Sequence, residues 1–174
     1  FLFAGVLRYY KGLRTLIESS SQTGIPALIL GAGPEEQVLR RFVSEKQASQ
    51  VRFLGPLEDP DKLALLSLCT GVAFPSNIRA EAFGLTLLEA SMFAKPMITC
   101  EVGTGTSFVN LDGLTGIVTP PDDPAAFSAA MRRIAEDASL AASFGQAARQ
   151  RYEARFQDGP MAQAYAGLYR EIAH

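Results

Sequence analysis

Short apolar segments alternate along this chain with longer segments of helical period, and this alternation restricts the fold more than any other feature of the sequence. The strand-like segments are residues 1–6, 27–30, 51–54, 72–74, 97–100 and 116–118. Two amphipathic segments follow residue 136, and the earlier helical patterns cover residues 12–20, 35–46, 60–68, 84–94 and 124–136. Strands that alternate with helices form parallel sheets whose faces the helices cover. The sequence therefore predicts an α/β fold with a parallel six-stranded sheet, flanked by helices and closed by C-terminal helices.

Two of the helix starts carry a specific signal. Asp59 and Asp123 each precede a proline. Aspartate is favoured as a helix N-cap, and proline is favoured at the first helical position. Both aspartates are therefore predicted to cap the helices that follow them.

Length and charge limit the class of protein. The chain has 174 residues, of which 48% are hydrophobic, so it can build one substantial core but not two full-sized domains. Its formal net charge of -2 provides no general basic surface, so we expect no binding to nucleic acid. The chain begins inside an apolar run without a methionine, which predicts that it is part of a longer protein.

The cysteines and the single histidine narrow the chemistry. Cys69 and Cys100 lie among apolar residues without Cys-x-x-Cys spacing. This is typical of buried free thiols in a reducing compartment and predicts a cytoplasmic location. His174 is the only histidine, which excludes most zinc sites and Ser-His-Asp triads.

The segment RAEAFGLTLLEASMFAKP contains two glutamates, Glu81 and Glu89, on either side of a predicted helix start. With a rise of ~1.5 Å per helical residue, they should lie roughly 10 Å apart. This is at or beyond the upper end of the ~6.5–9.5 Å range of an inverting glycosidase, so a hydrolytic acid–base pair is disfavoured. An anion between the two acids would meet free amides at Phe83, Gly84 and Leu85. A nucleotide sugar has this layout, although acids are also common at helix N-termini without any ligand.

Other candidate segments follow the predicted strands, where ligands bind in such folds. Arg8 and Lys11 could neutralise phosphates, or they could be solvated charges on a surface turn. GAGPEE, residues 31–36, lacks the third glycine of the dinucleotide motif and is interpreted as a tight turn lining the crevice. The loop 101–113 could supply amides to a phosphate or sugar, or could be a turn that requires positive φ.

One segment matches a metal-site pattern. Asp59-Pro60-Asp61 has the Asp-x-Asp spacing of metal-dependent sugar transferases. Helix capping already accounts for Asp59 and Pro60, so no metal site is predicted.

Taken in order, these segments resemble the C-terminal, donor-binding domain of the retaining glycosyltransferases of family 4, whose two-domain GT-B fold has a Rossmann-like sheet in this half. The most specific element is EAFGLTLLE, residues 81–89, which matches the family's Glu-x7-Glu pattern. Further matches follow in family order: KG at 11–12, GAGP at 31–34, VRFLG at 51–55, PS at 75–76 and LDGLTGIVTPPDDPAA at 111–126. YYKG and EVGTGTSFVN are most similar to the bacterial mannosyltransferase-like branch.

The resemblance implies transfer of a hexose, of mannose or glucose type, from a nucleotide diphosphate sugar to an acceptor. Transfer would proceed with retention and without a bound metal or other cofactor. GDP-mannose is the favoured donor, and a UDP-sugar is the alternative. The resemblance also implies an N-terminal acceptor domain beyond residues 1–174, peripheral membrane contact through that domain, and no measurable transfer by these residues alone.

The resemblance also implies roles for individual residues. Lys11 would offset charge on the departing diphosphate and Glu81 would hold hydroxyls of the donor sugar, which makes these two the catalytic candidates. Glu89 would bind the ribose hydroxyls, and the turn from Leu54 to Leu57 would lie near the base. Sugar or phosphate would meet the amides of Phe83, Gly84 and Leu85.

One position departs from the family pattern. Arginine usually follows the first-strand glycine, where this chain has Val6, and Arg8 is the alternative cation for the same phosphates. Two other functions therefore stay open. One is a non-catalytic nucleotide or nucleotide-sugar binding module, and the other is a nucleotide-sugar epimerase of GT-B shape, against which the single histidine argues.

Overall fold

Six parallel strands form one sheet in the computed structural model, which describes residues 1–173. The strands are β1 Leu2–Ala4, β2 Ala27–Leu30, β3 Val51–Gly55, β4 Val72–Phe74, β5 Met97–Cys100 and β6 Gly116–Thr119. Their order is β3-β2-β1-β4-β5-β6, so β1 and β4 are neighbours at the centre. The helices are α1 Leu13–Thr23, α2 Glu36–Glu45, α3 Asp59–Leu68, α4 Leu85–Met92, α5 Thr106–Val109, α6 Pro124–Glu136, α7 Ala138–Arg155 and α8 Asp158–Ile172.

These elements confirm the predicted α/β fold, including the parallel six-stranded sheet and the closing C-terminal helices. The only histidine, His174, lies outside the described residues. Within residues 1–173, no helix combines the length and the apolar character that a membrane crossing requires.

β1 and α4 are shorter than predicted, and α2 loses one residue at each end. β1 ends at Ala4, although the amides of Gly5 and Leu7 still donate to the carbonyls of Leu30 and Ala32, at 3.0 Å each. The chain therefore curves over the end of the sheet earlier than its apolar character suggests. α4 is shorter than the predicted segment 84–94 because left-handed backbone, at φ 84° in Gly84 and φ 50° in Ala94, flanks it.

The two predicted N-caps have different outcomes. Asp123 caps α6, since its carboxylate accepts a hydrogen bond from the amide of Ala126 at 2.9 Å. The prediction for Asp59 is wrong, because Asp59 is already the first residue of α3 and the extended residue before it is Glu58. The Asp59 carboxylate contacts Lys62, one turn along the helix, at 3.1 Å. An ion pair has thus replaced the cap.

The sheet separates two hydrophobic cores. One contains apolar residues of α1, α2 and α6, and the other contains apolar residues of α3 and α4. Successive strand residues point to opposite faces, so Phe3 belongs to the first core while Leu2 and Ala4 belong to the second. Because helices cover both faces, loops can gather only at the two ends of the strands.

The cysteines give a first testable prediction. Burial raises the pKa of the Cys100 thiol to about 11 and also raises the pKa of Cys69. The thiolate is the nucleophile, so at pH 8 only about 0.1% of Cys100 should be in the reactive form. We expect Cys100 to resist iodoacetamide in the native chain, as followed by mass spectrometry, and to react readily in denaturant. Rapid modification of native Cys100 would contradict the buried position.

Candidate functional site

Lys11 and Glu81 meet at the carboxyl ends of the two central strands. Lys11 ends a short 3-10 turn, Tyr9–Lys11, after β1, and Glu81 lies in the loop after β4. The Lys11 ammonium forms an ion pair with Oε2 of Glu81, and their side chains are only 12% and 10% exposed. The Ser76 hydroxyl donates to the same oxygen at 3.2 Å. The structure therefore joins the two predicted catalytic candidates in one nearly buried pair.

Aromatic and backbone groups hold this pair in place. The Lys11 ammonium lies 4.8 Å from the centre of the Phe74 ring, which is within range of a cation–π interaction. Gly12 follows with a left-handed φ of 60°, and a Cβ at this position would collide with the carbonyl group of Pro75. The loops after β1 and β4 thus pack backbone to backbone beside the ion pair.

The predicted amide-bearing helix start lies directly after Glu81. Gly84 precedes α4, and no side chain caps this helix start within residues 1–173. Leu85, its first residue, is 72% exposed. Phe83 is half-buried and packs edge-on against Phe156. An uncapped helix start beside exposed surface is the geometry that favours an anion.

Glu89 lies further along α4 and has its own lysine. The Lys62 ammonium, on α3, is 2.9 Å from Oε1 of Glu89 and 3.1 Å from Oδ1 of Asp59. Hydrogen bonds to Glu89 and Asp59 raise the pKa of Lys62. Each glutamate of the Glu-x7-Glu pattern is therefore paired with a lysine on a different element. Asp59 is bound to Lys62, and the described residues contain no cluster of three or more Asp, Glu, His or Cys that could hold a metal ion.

Sequence reasoning missed Lys62. The three-residue spacing from Asp59 could have indicated a pair within α3. The contact with Glu89 could not have been found in this way, because it depends on how α3 and α4 lie on the sheet.

Lys62 lines an open cleft of about 410 Å³ over the ends of β1, β2 and β3. Its other walls are Ala4, Gly5, Val6, Leu30, Gly31, Ala32, Pro56, Leu57 and Asp59. Leu54 is half-buried and packs against the second core just before this turn. The predicted crevice-lining role of the turn at Gly31 agrees with this geometry.

Arg8 and Val6 line different cavities. Val6 lines the larger cleft, whereas Arg8 lines a cavity of about 130 Å³ together with Tyr9, Asn77 and Asp122. The carboxylate of Asp122 accepts a hydrogen bond from Asn77 at 2.8 Å. A phosphate-binding role for Arg8 stays a prediction.

The glycine loop after β5 is fixed by its own acid. Glu101 accepts hydrogen bonds from the amide of Gly103 and the hydroxyl of Ser107, both at 2.7 Å. These two donors lower the pKa of Glu101. The amide of Gly105 donates to the carbonyl of Ala82 at 2.9 Å. Two of the amides considered for a ligand are therefore engaged within the protein, and the loop supports the segment around Glu81.

Comparisons with known protein sequences identify the family. The chain is 45% identical over 172 residues to O-antigen chain mannosyltransferase C of Escherichia coli. The alignment covers 99% of this chain and 46% of that protein. It is 47% identical over 156 residues to the D-rhamnosyltransferase WbpZ of Pseudomonas aeruginosa, covering 90% of this chain and 41% of that protein. The chain thus spans less than half the length of these relatives.

The crystal structure of HepE from Anabaena in complex with UDP has the same fold. Its TM-score is 0.88 at 22% sequence identity, over 98% of this chain and 48% of that chain. The sequence profile described as "Glycosyl transferases group 1" matches residues 1–151. Since this match covers most of the sequence, the chain belongs to the group 1 glycosyltransferase family.

Proposed function

We propose that this chain is the donor-binding domain of a retaining glycosyltransferase of family 4, with the GT-B fold. The full-length protein would transfer a hexose of mannose or glucose type from a nucleotide diphosphate sugar, with GDP-mannose favoured over UDP-sugars. Two relatives are named as a mannosyltransferase and a rhamnosyltransferase, and HepE was solved with UDP. The observation that carries the proposal is the pair of lysine–glutamate contacts on either side of the uncapped start of α4.

The donor sugar would lie at the Lys11–Glu81 end of this arrangement. The Glu81 carboxylate accepts hydrogen bonds from sugar hydroxyls, and its ion pair with Lys11 keeps a positive charge beside the anomeric bond that breaks. As the bond breaks, negative charge grows on the departing diphosphate. Lys11 and the amides of Phe83, Gly84 and Leu85 would stabilise that charge without reorganising.

The nucleoside would lie at the Glu89 end. Glu89 would accept hydrogen bonds from the ribose hydroxyls, and the cleft bounded by Gly31, Pro56 and Leu57 would hold the base near Leu54. No metal or other cofactor is part of this proposal. The acceptor would be bound by an N-terminal domain of the full-length protein, which would also make peripheral contact with the cytoplasmic membrane surface. Residues 1–174 alone would bind donor without measurable transfer.

Replacing each glutamate separately tests this division of roles. We expect Glu89→Ala to weaken the binding of both GDP and GDP-mannose about tenfold, because the bare nucleotide and the donor share the ribose. Glu81→Ala should weaken the binding of GDP-mannose by a similar factor but leave the affinity for GDP nearly unchanged, because only the donor carries the sugar. A loss of about 1.4 kcal/mol, or tenfold, corresponds to one charge-assisted hydrogen bond.

Isothermal titration calorimetry with GDP, GDP-mannose, UDP and UDP-glucose is the measurement, and Glu136→Ala, an exposed acid at the end of α6, is the control. Equal effects of the two site variants on both ligand types would count against the assigned roles. Tighter binding of UDP-glucose than of GDP-mannose would reverse the donor preference.

A non-catalytic nucleotide-sugar binding module is the second candidate, and Val6 is the observation that favours it. Val6 is 54% exposed and lines the cleft where the family usually has a phosphate-binding arginine. The full-length protein separates the two functions. Sugar transfer that falls at least tenfold in Glu89→Ala supports the enzyme, whereas donor binding without transfer in the unaltered protein supports the module.

A further inference from the structure

We propose that Lys62 is a positioning residue that holds the Glu89 carboxylate ready for the ribose diol of the nucleotide. This inference rests on the proposed function, because it assigns a supporting residue to the same site. Lys62 belongs to α3, and neither the Glu-x7-Glu pattern nor the residues around it indicate such a role.

One oxygen of Glu89 is held and the other is free for a ligand. Lys62 donates to Oε1 at 2.9 Å, and within the described residues no hydrogen bond involves Oε2. The Glu89 side chain is 31% exposed, so Oε2 and the remaining lone pair of Oε1 can accept donors from a ligand bound beside Lys62. A ribose diol presents two adjacent hydroxyl donors. The ion pair therefore removes the rotational freedom of the carboxylate while leaving its acceptors available.

Lys62 is itself held between two carboxylates on two helices. Asp59 lies one turn earlier on α3, and Glu89 lies on α4, so the ammonium links the two helices at the rim of the cleft. The Asp59 side chain is 83% exposed and that of Lys62 is 23% exposed. The less exposed contact, with Glu89, should therefore dominate, because ion pairs at exposed surface contribute little. Because the Lys62 ammonium contacts both Asp59 and Glu89, we expect it to keep these contacts when the ligand binds.

The charge of the ligand makes this pairing necessary. A nucleoside diphosphate is an anion, and an uncompensated carboxylate beside it would repel it. Lys62 offsets the charge of Glu89. Asp59, Glu89 and Lys62 together still carry one net negative charge, so Lys62 reduces the repulsion of the phosphates without removing it. The Asp59 side chain is 83% exposed, so water screens its charge more than that of Glu89. Removing Lys62 should loosen Glu89 and expose its charge at the same time.

The test compares Lys62→Met with the unaltered chain, using GDP and its 2′,3′-dideoxy analogue in calorimetry. We expect Lys62→Met to weaken the binding of GDP about tenfold and that of the dideoxy analogue less than threefold. The analogue lacks the hydroxyls that donate hydrogen bonds to Glu89. Lys62→Arg should recover most of the affinity. In the Glu89→Gln background, Lys62→Met should have no further effect on the preference for GDP over the analogue. Lys46→Met is the matched control, because Lys46 also forms a 2.9 Å ion pair, with Glu18. This variant should bind both ligands with unchanged affinity.

Several results would overturn the role. Equal losses for GDP and the dideoxy analogue would show that Lys62 acts through the phosphates or the base, and not by positioning Glu89 for the ribose diol. Undiminished binding of GDP by Lys62→Met would show that Glu89 needs no positioning. If the unaltered chain binds neither GDP nor UDP, the proposed function itself fails, and the role of Lys62 fails with it. Circular dichroism of each variant confirms that the chain is folded before binding is measured.

Discussion

Lys11→Met is expected to lower the free energy of unfolding by about 3–5 kcal/mol, because it leaves a nearly buried carboxylate without its counter-charge. The Lys11 and Glu81 side chains are 12% and 10% exposed, so water reaches neither charge freely. Ser76 would be the remaining side-chain donor to Glu81, and one hydroxyl cannot replace an ammonium. Urea unfolding followed by circular dichroism measures the change.

The double variant Lys11→Met/Glu81→Gln separates charge from packing. It removes the carboxylate together with its partner, so we expect it to recover at least half of the lost stability. Lys46→Met removes a more exposed pair, whose lysine and glutamate are 37% and 29% exposed, and should cost less than about 1 kcal/mol. If the single and double variants were equally destabilised, the loss would come from packing against Phe74 and Tyr10, and the ion-pair explanation would be wrong.

Gly12→Ala is the second change with a large expected effect, about 3–5 kcal/mol of stability. Gly12 has a left-handed φ of 60°, and its Cβ would collide with the Pro75 carbonyl group. A left-handed conformation of alanine alone costs roughly 1–2 kcal/mol. The displacement of the Pro75 backbone that relieves the clash adds the rest. The shift would displace Ser76, which follows Pro75 and bonds Glu81, so donor binding should fall together with stability.

Gly24→Ala is the matched control for Gly12→Ala. Gly24 also has a left-handed φ, of 73°, but a Cβ there would have no atom within 4 Å. It should therefore show only the backbone term of roughly 1–2 kcal/mol. Thermal unfolding measures both variants. Similar losses of stability would refute the clash, because of these two glycines only Gly12 faces backbone from another loop.

The sequence predicted the strands and most helices well because burial on both faces of the sheet leaves a strong hydrophobic pattern. Its errors lie where local signals compete. Asp59-Pro60 looks like a cap, but Asp59 finds a lysine within α3. The ends of α4 depend on left-handed residues, and Ala94 carries no sequence signal for that conformation.

The sequence also identified Lys11 and Glu81 as members of one site, but only through family resemblance and through their positions after strands. Their ion pair joins residues 70 positions apart, and no local pattern encodes such a contact. The same holds for Lys62 and Glu89, which are 27 positions apart and meet only because α3 and α4 lie side by side. Sequence reasoning could therefore identify Glu81, Glu89 and Lys11, but neither Lys62 nor the pairing of each glutamate with a lysine.

The pairing of β1 with β4 has a consequence for how the sheet responds to a ligand. It consists of one register pair, Leu2 with Val72, whereas β1 makes three such pairs with β2 and β4 makes three with β5. The sheet is thus two three-stranded halves joined along a narrow seam. The Lys11–Glu81 pair and the hydrogen bond from Thr86 to the carbonyl of Ala4 both cross that seam. A ligand bound there would join the halves, so its stabilising effect should appear as slower amide hydrogen exchange concentrated along β1 and β4.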